Sequence, residues 1–408
     1  MRLRIKDICD YVSRGTTPDY VDEGANKVMN QATFSKGWID ESNIRYTSKT
    51  NKGARIMKGD LLMASTGGGV LGKVFFFDDD DSFYADSHVT IMRNSKGANL
   101  MKYLYYYFYL RYDEINATMV KGSTNQTELQ RNYLLSYELD VPTLADQQRM
   151  VTYLDTKLSE IDHQVSLLTS KRDAYLRLKK SIINHAVTHG LDPNVKMKDS
   201  GIEWIGEVPE HWEMCRFKDA FRRWTTGITP DSKNYKYFES DICKGYTWVT
   251  ISDFLEKYIS QSSLNLSDES IKLFMPPLSL KGSLMFSFKL SVGKIAFADK
   301  DLYTNEAIVS IPPNNGQCLE YYYYMLPNVL HENATENIYG AKMLNQKIIA
   351  NMLMVVPPLP EQRAIATYLD DKCAKIDTIV SNLDKQISRY ADLKRSLIDE
   401  VITGKRAV

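Results

Sequence analysis

"VPPLPEQRAIATYLD" (356–370) says again what "VPTLADQQRMVTYLD" (141–155) has already said about half a chain earlier. Laying residue 141 on residue 356 aligns 141–190 with 356–405 without a gap. About 20 of the roughly 50 positions are identical, where chance would give a few. Each copy opens on proline-rich chain, and proline holds the residue before it out of the helical region. Each then runs for about 40 residues without proline or glycine, roughly 60 Å of helix at 1.5 Å per residue.

The apolar residues of the first copy fall at Val151, Leu154, Leu158, Ile161, Val165 and Leu168, with Tyr175 further on. The second copy gives Ala366, Leu369, Cys373, Ile376, Val380, Leu383, Ile387 and Tyr390. Steps of three and four are the heptad signature of a coiled-coil seam. The seam lapses at Arg172, which aligns with Ile387. A seam on one helix needs a partner. Packing of the two copies on each other is the economical solution, although a helix from another molecule would also serve.

A weaker repeat covers the remaining chain. "RIKDICDYVSRGTTP" (4–18) aligns without a gap on "RFKDAFRRWTTGITP" (216–230). "KGDLLMAS" (58–65) answers "KGSLMFSF" (281–288), and "GKVFF" (72–76) answers "GKIAF" (293–297). Tyrosine runs follow in both halves, "YLYYYFY" (103–109) and "YYYY" (321–324), and then a glycine-led polar loop, "KGSTNQTELQ" (121–130) or "YGAKMLNQKI" (339–348). The order is module, helix, module, helix. Short alternating strands such as "KVFFF" and "HVTIM", mixed with a few helices, make each module α+β.

Composition sets the bounds. The chain has 408 residues, 43% of them apolar and 25% charged, which suits two or three globular domains. No apolar run approaches the roughly 20 residues of a membrane span, and "MRLRIKDICD" has no signal-peptide core. Five scattered cysteines without a C-x-x-C pair fit a reducing cytoplasm and neither a disulfide framework nor a zinc site. Net charge is zero, and residues 196–355 are about two charges negative. Any nucleic-acid surface is therefore a local patch.

The phrase "VPPLPEQRAIATYLD", the stretch "DSGIEWIGEVPEHWE" (199–213) and the doubled layout resemble the DNA-specificity subunit of type I restriction–modification systems, over nearly the whole chain. The "EWIGEVPEHW" leader precedes only the second module. The resemblance implies two pseudo-symmetric mixed α/β target-recognition domains separated by a long antiparallel two-helix coiled coil. By it, residues 1–141 and 196–355 are the recognition domains, each reading one half of a bipartite double-stranded DNA target. Residues 142–195 and 356–408 are then the spacer helices, which dock two methyltransferase subunits and, in the full complex, restriction and translocation subunits. The partners would bring S-adenosylmethionine, ATP and magnesium, and this chain would bind no cofactor. The resemblance thus implies a non-catalytic subunit. Bottom-up reasoning agrees: two diverged readers on a stiff ruler suit a bipartite target, because a fixed protein length fixes the gap between half-sites.

Catalytic signatures are present only in fragments. "STGGGVLGKV" (65–74) has the glycine and lysine spacing of a phosphate loop at Gly67, Gly72 and Lys73, yet Val74 stands where Ser or Thr should bind magnesium. "FFFDDDD" then reads as strand and turn, so Lys73 is expected on a hairpin. His185 and His189 lack a third metal ligand and read as a solvated helix end. Asp78–Asp81 reads as a solvated turn, and the tyrosines, at helical spacing, read as core. The Asp/Asn-Pro-Pro-aromatic motif of an adenine methyltransferase is absent. Asp370 and Lys372 imitate part of a nuclease motif but fall on the coiled-coil helix, and read as solvated spacer residues.

What remains is recognition. Base readout requires polar side chains on loops, with others gripping phosphates. The first module offers Arg14, Thr16, Thr17, Lys49, Lys52, Lys73, Ser123, Thr124, Asn125 and Gln126. The second offers Thr226, Thr229, Lys233, Lys289, Lys294, Lys342, Asn345 and Gln346. The competing readings are a coiled-coil adaptor that binds proteins, which the neutral charge permits, and an enzyme in its own right.

Overall fold

The computed structural model describes residues 1–49, 52–95, 98–121, 127–239, 241, 244–289, 291–336, 340 and 342–408. Among these, four helices carry most of the helical length: α1 (Ala98–Tyr109), α2 (Leu144–His189), α3 (Leu319–Asn333) and α4 (Leu359–Ile402). No helix among the described residues is long and apolar enough to cross a membrane. Two compact units form, Met1–Ser170 with Leu383–Val408, and Lys171–Asn382. Each unit therefore holds one half of α2 and one half of α4.

The first unit contains a four-stranded antiparallel sheet in the order Tyr11–Arg14, Val89–Arg93, Leu61–Ala64, Val74–Phe76. Beside it runs a five-stranded sheet, Tyr20–Val21, Arg45–Thr47, Asn26–Met29, Phe83–Ala85, Arg55–Ile56, whose one parallel pair joins Asn26–Met29 to Phe83–Ala85. The second unit repeats the first nearly strand for strand. Thr225–Thr226, Ile308–Ile311, Leu284–Ser287 and Ile295–Ala298 follow the same order, extended by Tyr258–Ile259. Phe238–Glu239, Asn265–Leu266, Tyr246–Val249 and Tyr303–Thr304 match the other sheet, including its parallel pair. In both units a two-stranded ribbon, Arg2–Arg4 with Glu138–Asp140 or Glu213–Arg216 with Leu353–Val356, ties the module's ends together just before a long helix begins. The weak sequence repeat thus marks a true duplication of an α+β module.

The heptad residues bury within each unit. Leu154, Leu158 and Ile161 share a core with Leu397, Ile398, Val401 and Ile402 of α4. In the second unit Ile365, Ala366, Leu369 and Cys373 share one with Ala186 and Val187 of α2. Ile376 and Leu383 are also buried, whereas Val165, Leu168 and Val380 are half-exposed, since two helices alone cannot enclose a seam that no module covers. Lys394 bonds Asp162 at 2.7 Å in one unit and Lys179 bonds Asp377 at 2.6 Å in the other. In each unit the helices run antiparallel, so the two copies partner each other.

The structure also explains the repeated phrase. Gln147 and Gln362 are buried, and each amide donates at 2.9 Å to the carbonyl of the helix-opening proline, Pro142 or Pro357. The aspartate that closes the phrase docks the helix on its module. Tyr106 donates to Asp155 at 2.6 Å, with Lys102 at 2.7 Å. Tyr324 donates to Asp370 at 2.5 Å, with Lys257 at 2.6 Å. Asp370 is therefore an anchor and not a freely solvated spacer residue, because the tyrosine helix packs against α4 and brings a hydroxyl to it. Burial, then the Asp370 bond, drives the Tyr324 phenol far above its ordinary pKa, so it stays a donor. The tyrosine runs are mostly core: Tyr103, Tyr106, Tyr107, Tyr321, Tyr322 and Tyr324 are buried, Tyr105 and Tyr323 half-buried, and Tyr109 exposed.

The leader "DSGIEWIGEVPEHWE" clasps the start of α4. Trp212 is fully buried and its indole donates to Glu361 at 2.8 Å, while His211 lies 2.6 Å from the other carboxylate oxygen. Glu361 sits in the first turn of α4, where the helix dipole favours an anion.

Candidate nucleic-acid interface

Each module turns its first sheet strand into the second sheet at a glycine where chain meets chain. Gly15 N donates to Val89 O at 2.9 Å and Thr16 N to Ala85 O at 3.2 Å. A Cβ on Gly15 would lie 2.1 Å from Ala85 O, so no other residue fits. The aligned Gly227 is tighter: its Cβ would stand 1.8 Å from Thr304 O, to which Ile228 N donates at 3.0 Å. The partner strand ends alike in both. Asp86 accepts from His88 N at 2.8 Å, and Asn305 accepts from Ala307 N at 3.1 Å. Burial pushes the Asp86 carboxyl above its ordinary range, against the pull of the His88 N–H, a cost that the neutral Asn305 avoids. Next to this corner a short helical turn is capped by Asn30 in one module and Thr250 in the other. Ser65 and Phe288 complete the corner. Each takes a bond from the polar loop, Leu129 N at 2.8 Å or Leu344 N at 2.9 Å.

On this shared backbone the side chains differ. In the first module an open cleft of about 800 Å³ is lined by Arg14, Gly15, Gln31, Thr66, Gly67, Ser87, His88, Thr127 and Glu128. Arg14 donates through Nε to Ser87 O at 3.0 Å and pairs with Glu128 through Nη1. Thr66 lies 2.7 Å from His88 Nδ1 and 3.2 Å from Gln31 Oε1. In the second module Thr226 stands where Arg14 does and takes a bond from Gln346 Nε2 at 3.1 Å. Thr229 donates to Glu306, which occupies the position of Ser87.

Of the residues singled out from sequence, the structure brings Arg14 into the cleft and leaves Thr16 and Thr17 exposed beside it. Lys49 is exposed and paired with Asp19, and Lys52 is exposed; neither lines the cleft. Lys73, half-buried, follows the Gly72 turn (φ +85°) and enters the strand Val74–Phe76, where a phosphate loop would lead into a helix. Ser123, Thr124, Asn125 and Gln126 lie outside the described residues. In the second module Thr226 and Gln346 meet, while Lys294 bonds Ile251 O at 3.2 Å and Lys342 bonds His331 O at 3.4 Å. Lys289 lies 5.4 Å over the Phe288 ring, and the exposed Lys233 donates its backbone N–H to Asp231. Asn345 caps a short helix by accepting from Ile348 N at 2.9 Å. Gln31, Thr66, His88 and Glu128 escaped sequence reasoning because they are scattered along the chain and only the two sheets bring them together.

His185 and His189 stack at 4.8 Å, and burial, then His185, lowers the pKa of His189. Among the described residues no group of three His, Cys, Asp or Glu side chains is placed to hold a metal ion. A pair of clefts on the long helices follows the duplication. One, of about 630 Å³, is lined on α2 by Arg177, Lys180, Ser181 and Asn184. The other, of about 360 Å³, is lined on α4 by Asp392, Arg395, Ser396 and Asp399, the aligned positions of the repeat.

The class these features define is a duplicated α+β scaffold, with a shared backbone corner carrying different side chains in each module and a pair of antiparallel helices. The chain belongs to the type I restriction modification DNA specificity domain family, whose model matches residues 1–167 and 209–389. It is 21% identical, over 98% of its length and 92% of the relative's, to a putative type I restriction enzyme MjaX specificity subunit of Methanocaldococcus jannaschii. It is 27% identical to the MjaIX specificity subunit of the same organism, over 45% of this chain and 41% of that protein. Among solved structures it is similar to a chain described under "Structural basis underlying complex assembly and conformational transition of the type I R-M system", with TM-score 0.72, 15% identity and coverage of 98% and 97%. The HsdS subunit from Thermoanaerobacter tengcongensis shares the fold at TM-score 0.51 and 15% identity, covering 100% and 97%.

Proposed function

We propose that this chain is the DNA sequence-specificity subunit of a type I restriction–modification complex, binding a bipartite double-stranded target with one half-site per module. The observation that carries this reading is the module duplicated nearly strand for strand, with its backbone corner kept and the side chains beside that corner exchanged. A scaffold that stays constant while its reading surface varies is what two different half-sites demand. The antiparallel helices serve as the ruler between half-sites. The clefts at aligned positions of α2 and α4 support two equivalent docking places, hence two methyltransferase subunits, with restriction subunits joining in the full complex. The chain itself is the non-catalytic member of that assembly. S-adenosylmethionine, ATP and magnesium belong to the partners, and the complex works on DNA in the cytoplasm.

The test is a module exchange read by genome-wide mapping of methylated adenines. Residues 1–141 carry both strands of the ribbon Arg2–Arg4 with Glu138–Asp140, so the exchange keeps that ribbon whole. Replacing them with the module of another family member should change one half-site and keep the other. A motif altered in both halves, or methylation without sequence preference, overturns the reading and favours a protein-binding adaptor. Methyl transfer by the isolated chain overturns it in favour of an enzyme.

A further inference from the structure

We propose that Arg14 reads a guanine in the half-site held by the first module, and that Thr226, at the aligned position of the second module, does not make this contact. The proposal rests on the specificity-subunit reading above and adds which base class the first cleft takes. Arg14 ends the strand Tyr11–Arg14 immediately before Gly15, so its backbone is fixed by the corner where a Cβ cannot fit. Its side chain is fixed as well. Nε is held by Ser87 O at 3.0 Å and Nη1 by the Glu128 carboxylate, so the planar fork is oriented before any ligand arrives. Preorganisation of this kind suits a contact that must discriminate, because the ordering entropy is already spent in the free protein.

Charge distinguishes a base from a phosphate as the ligand. Arg14 and Glu128 together are neutral, so the pair offers a phosphate no net attraction, and the carboxylate repels it. A guanine edge carries no net charge and presents two acceptors, O6 and N7, in the major groove, which an arginine fork meets with two donors. The neighbouring Thr66 and Gln31 are neutral hydrogen-bonding groups suited to an adjacent base edge, and Thr66 also lies 2.7 Å from His88 Nδ1. Thr16 and Thr17, exposed just after Gly15, carry hydroxyls of the kind that contacts phosphates.

The second module removes the fork from the same backbone position. Thr226 replaces Arg14 in the gapless alignment of 4–18 with 216–230, and its hydroxyl is taken by the Gln346 amide at 3.1 Å. An amide is the group that pairs with adenine N6 and N7.

The experiment uses the chain in complex with its methyltransferase. Adenine-methylation maps are compared for the unaltered complex, Arg14→Ala and Arg14→Lys. Binding is then measured on target duplexes in which each guanine is replaced in turn by 7-deazaguanine, which lacks the N7 acceptor. Arg14→Ala should relax one guanine position in one half-site and leave the other half-site intact, which also reports that the complex has folded. Arg14→Lys keeps the charge and loses the fork, and should relax the same position. One 7-deazaguanine should weaken the unaltered complex several-fold, up to about tenfold, roughly half the discrimination of a bidentate contact, and should not weaken Arg14→Ala further. A motif without guanine in either half-site overturns the proposal. So does an Arg14→Lys complex with an unchanged motif, the behaviour of a phosphate contact. Methylation without any sequence preference in the unaltered complex is a separate result, which removes the specificity reading itself.

Discussion

Replacing Gly15 with alanine should disable one reader and spare the other. The added Cβ would sit 2.1 Å from Ala85 O, where real Cβ contacts stay above about 3.0 Å, so the strands must part by close to an ångström. That displacement breaks the bonds from Gly15 N to Val89 O and from Thr16 N to Ala85 O, each worth about 1 kcal/mol. Overpacking adds about 1–3 kcal/mol, for a local cost of about 3–5 kcal/mol. Gly227→Ala, at 1.8 Å from Thr304 O, should cost the second module at least as much. Gly37 supplies the control: its φ is +88° but a Cβ there meets nothing within 4 Å, so alanine should cost only about 1–2 kcal/mol of backbone strain. Amide exchange followed by mass spectrometry should show faster exchange around residues 11–16 and 85–93 in Gly15→Ala and unchanged protection in the second module. Methylation maps of the same variants should lose preference at one half-site each, and not the same one. Protection unchanged at the corner, or both half-sites lost in either single variant, would refute the reasoning.

Inserting one heptad into both α2 and α4 lengthens each by about 10 Å, about three base pairs of B-DNA, and should widen the unspecified gap in the methylated motif by about that much. An active variant with an unchanged gap would remove the ruler from the model. Glu361→Ala takes away the acceptor of the buried Trp212 indole, and urea unfolding should show a loss of about 1–3 kcal/mol; no change would mean the clasp does not hold α4. Arg93→Met strands the fully buried Asp60, whose carboxylate receives both arms of the Arg93 fork at 2.6 Å. It should cost about 3–5 kcal/mol, most of it recovered by adding Asp60→Asn. Asp86→Asn tests linkage. Because the folded-state pKa of Asp86 is raised, the native chain binds the extra proton, and stability falls as pH rises through the window just above the ordinary carboxylate value. The variant should melt higher than the parent at neutral pH, with the gap closing on acidification, and a gap that ignores pH would count against burial as the cause.

The sequence by itself determined the architecture at the level of repeats. Heptad spacing at Leu154, Leu158, Ile161, Leu369, Cys373 and Ile376 announces buried helix faces, because a helical period survives any tertiary arrangement. The shared "RGTTP" and "TGITP" phrases mark the corner even though nothing local says why glycine is required there. Only the folded chain supplies that reason, the carbonyls of Ala85 and Thr304, about 70 to 80 residues distant in sequence. The same limit hid Gln31, Thr66, His88 and Glu128, whose nearness to Arg14 is created by strand pairing between segments far apart in the chain. It also turned Asp370 from a solvated residue into an anchor, since the Tyr324 and Lys257 that hold it come from elsewhere in the module. Periodicity is a property of neighbours along the backbone and can be read from order alone. A binding cleft depends on neighbours across space, and those exist only once the two sheets have closed.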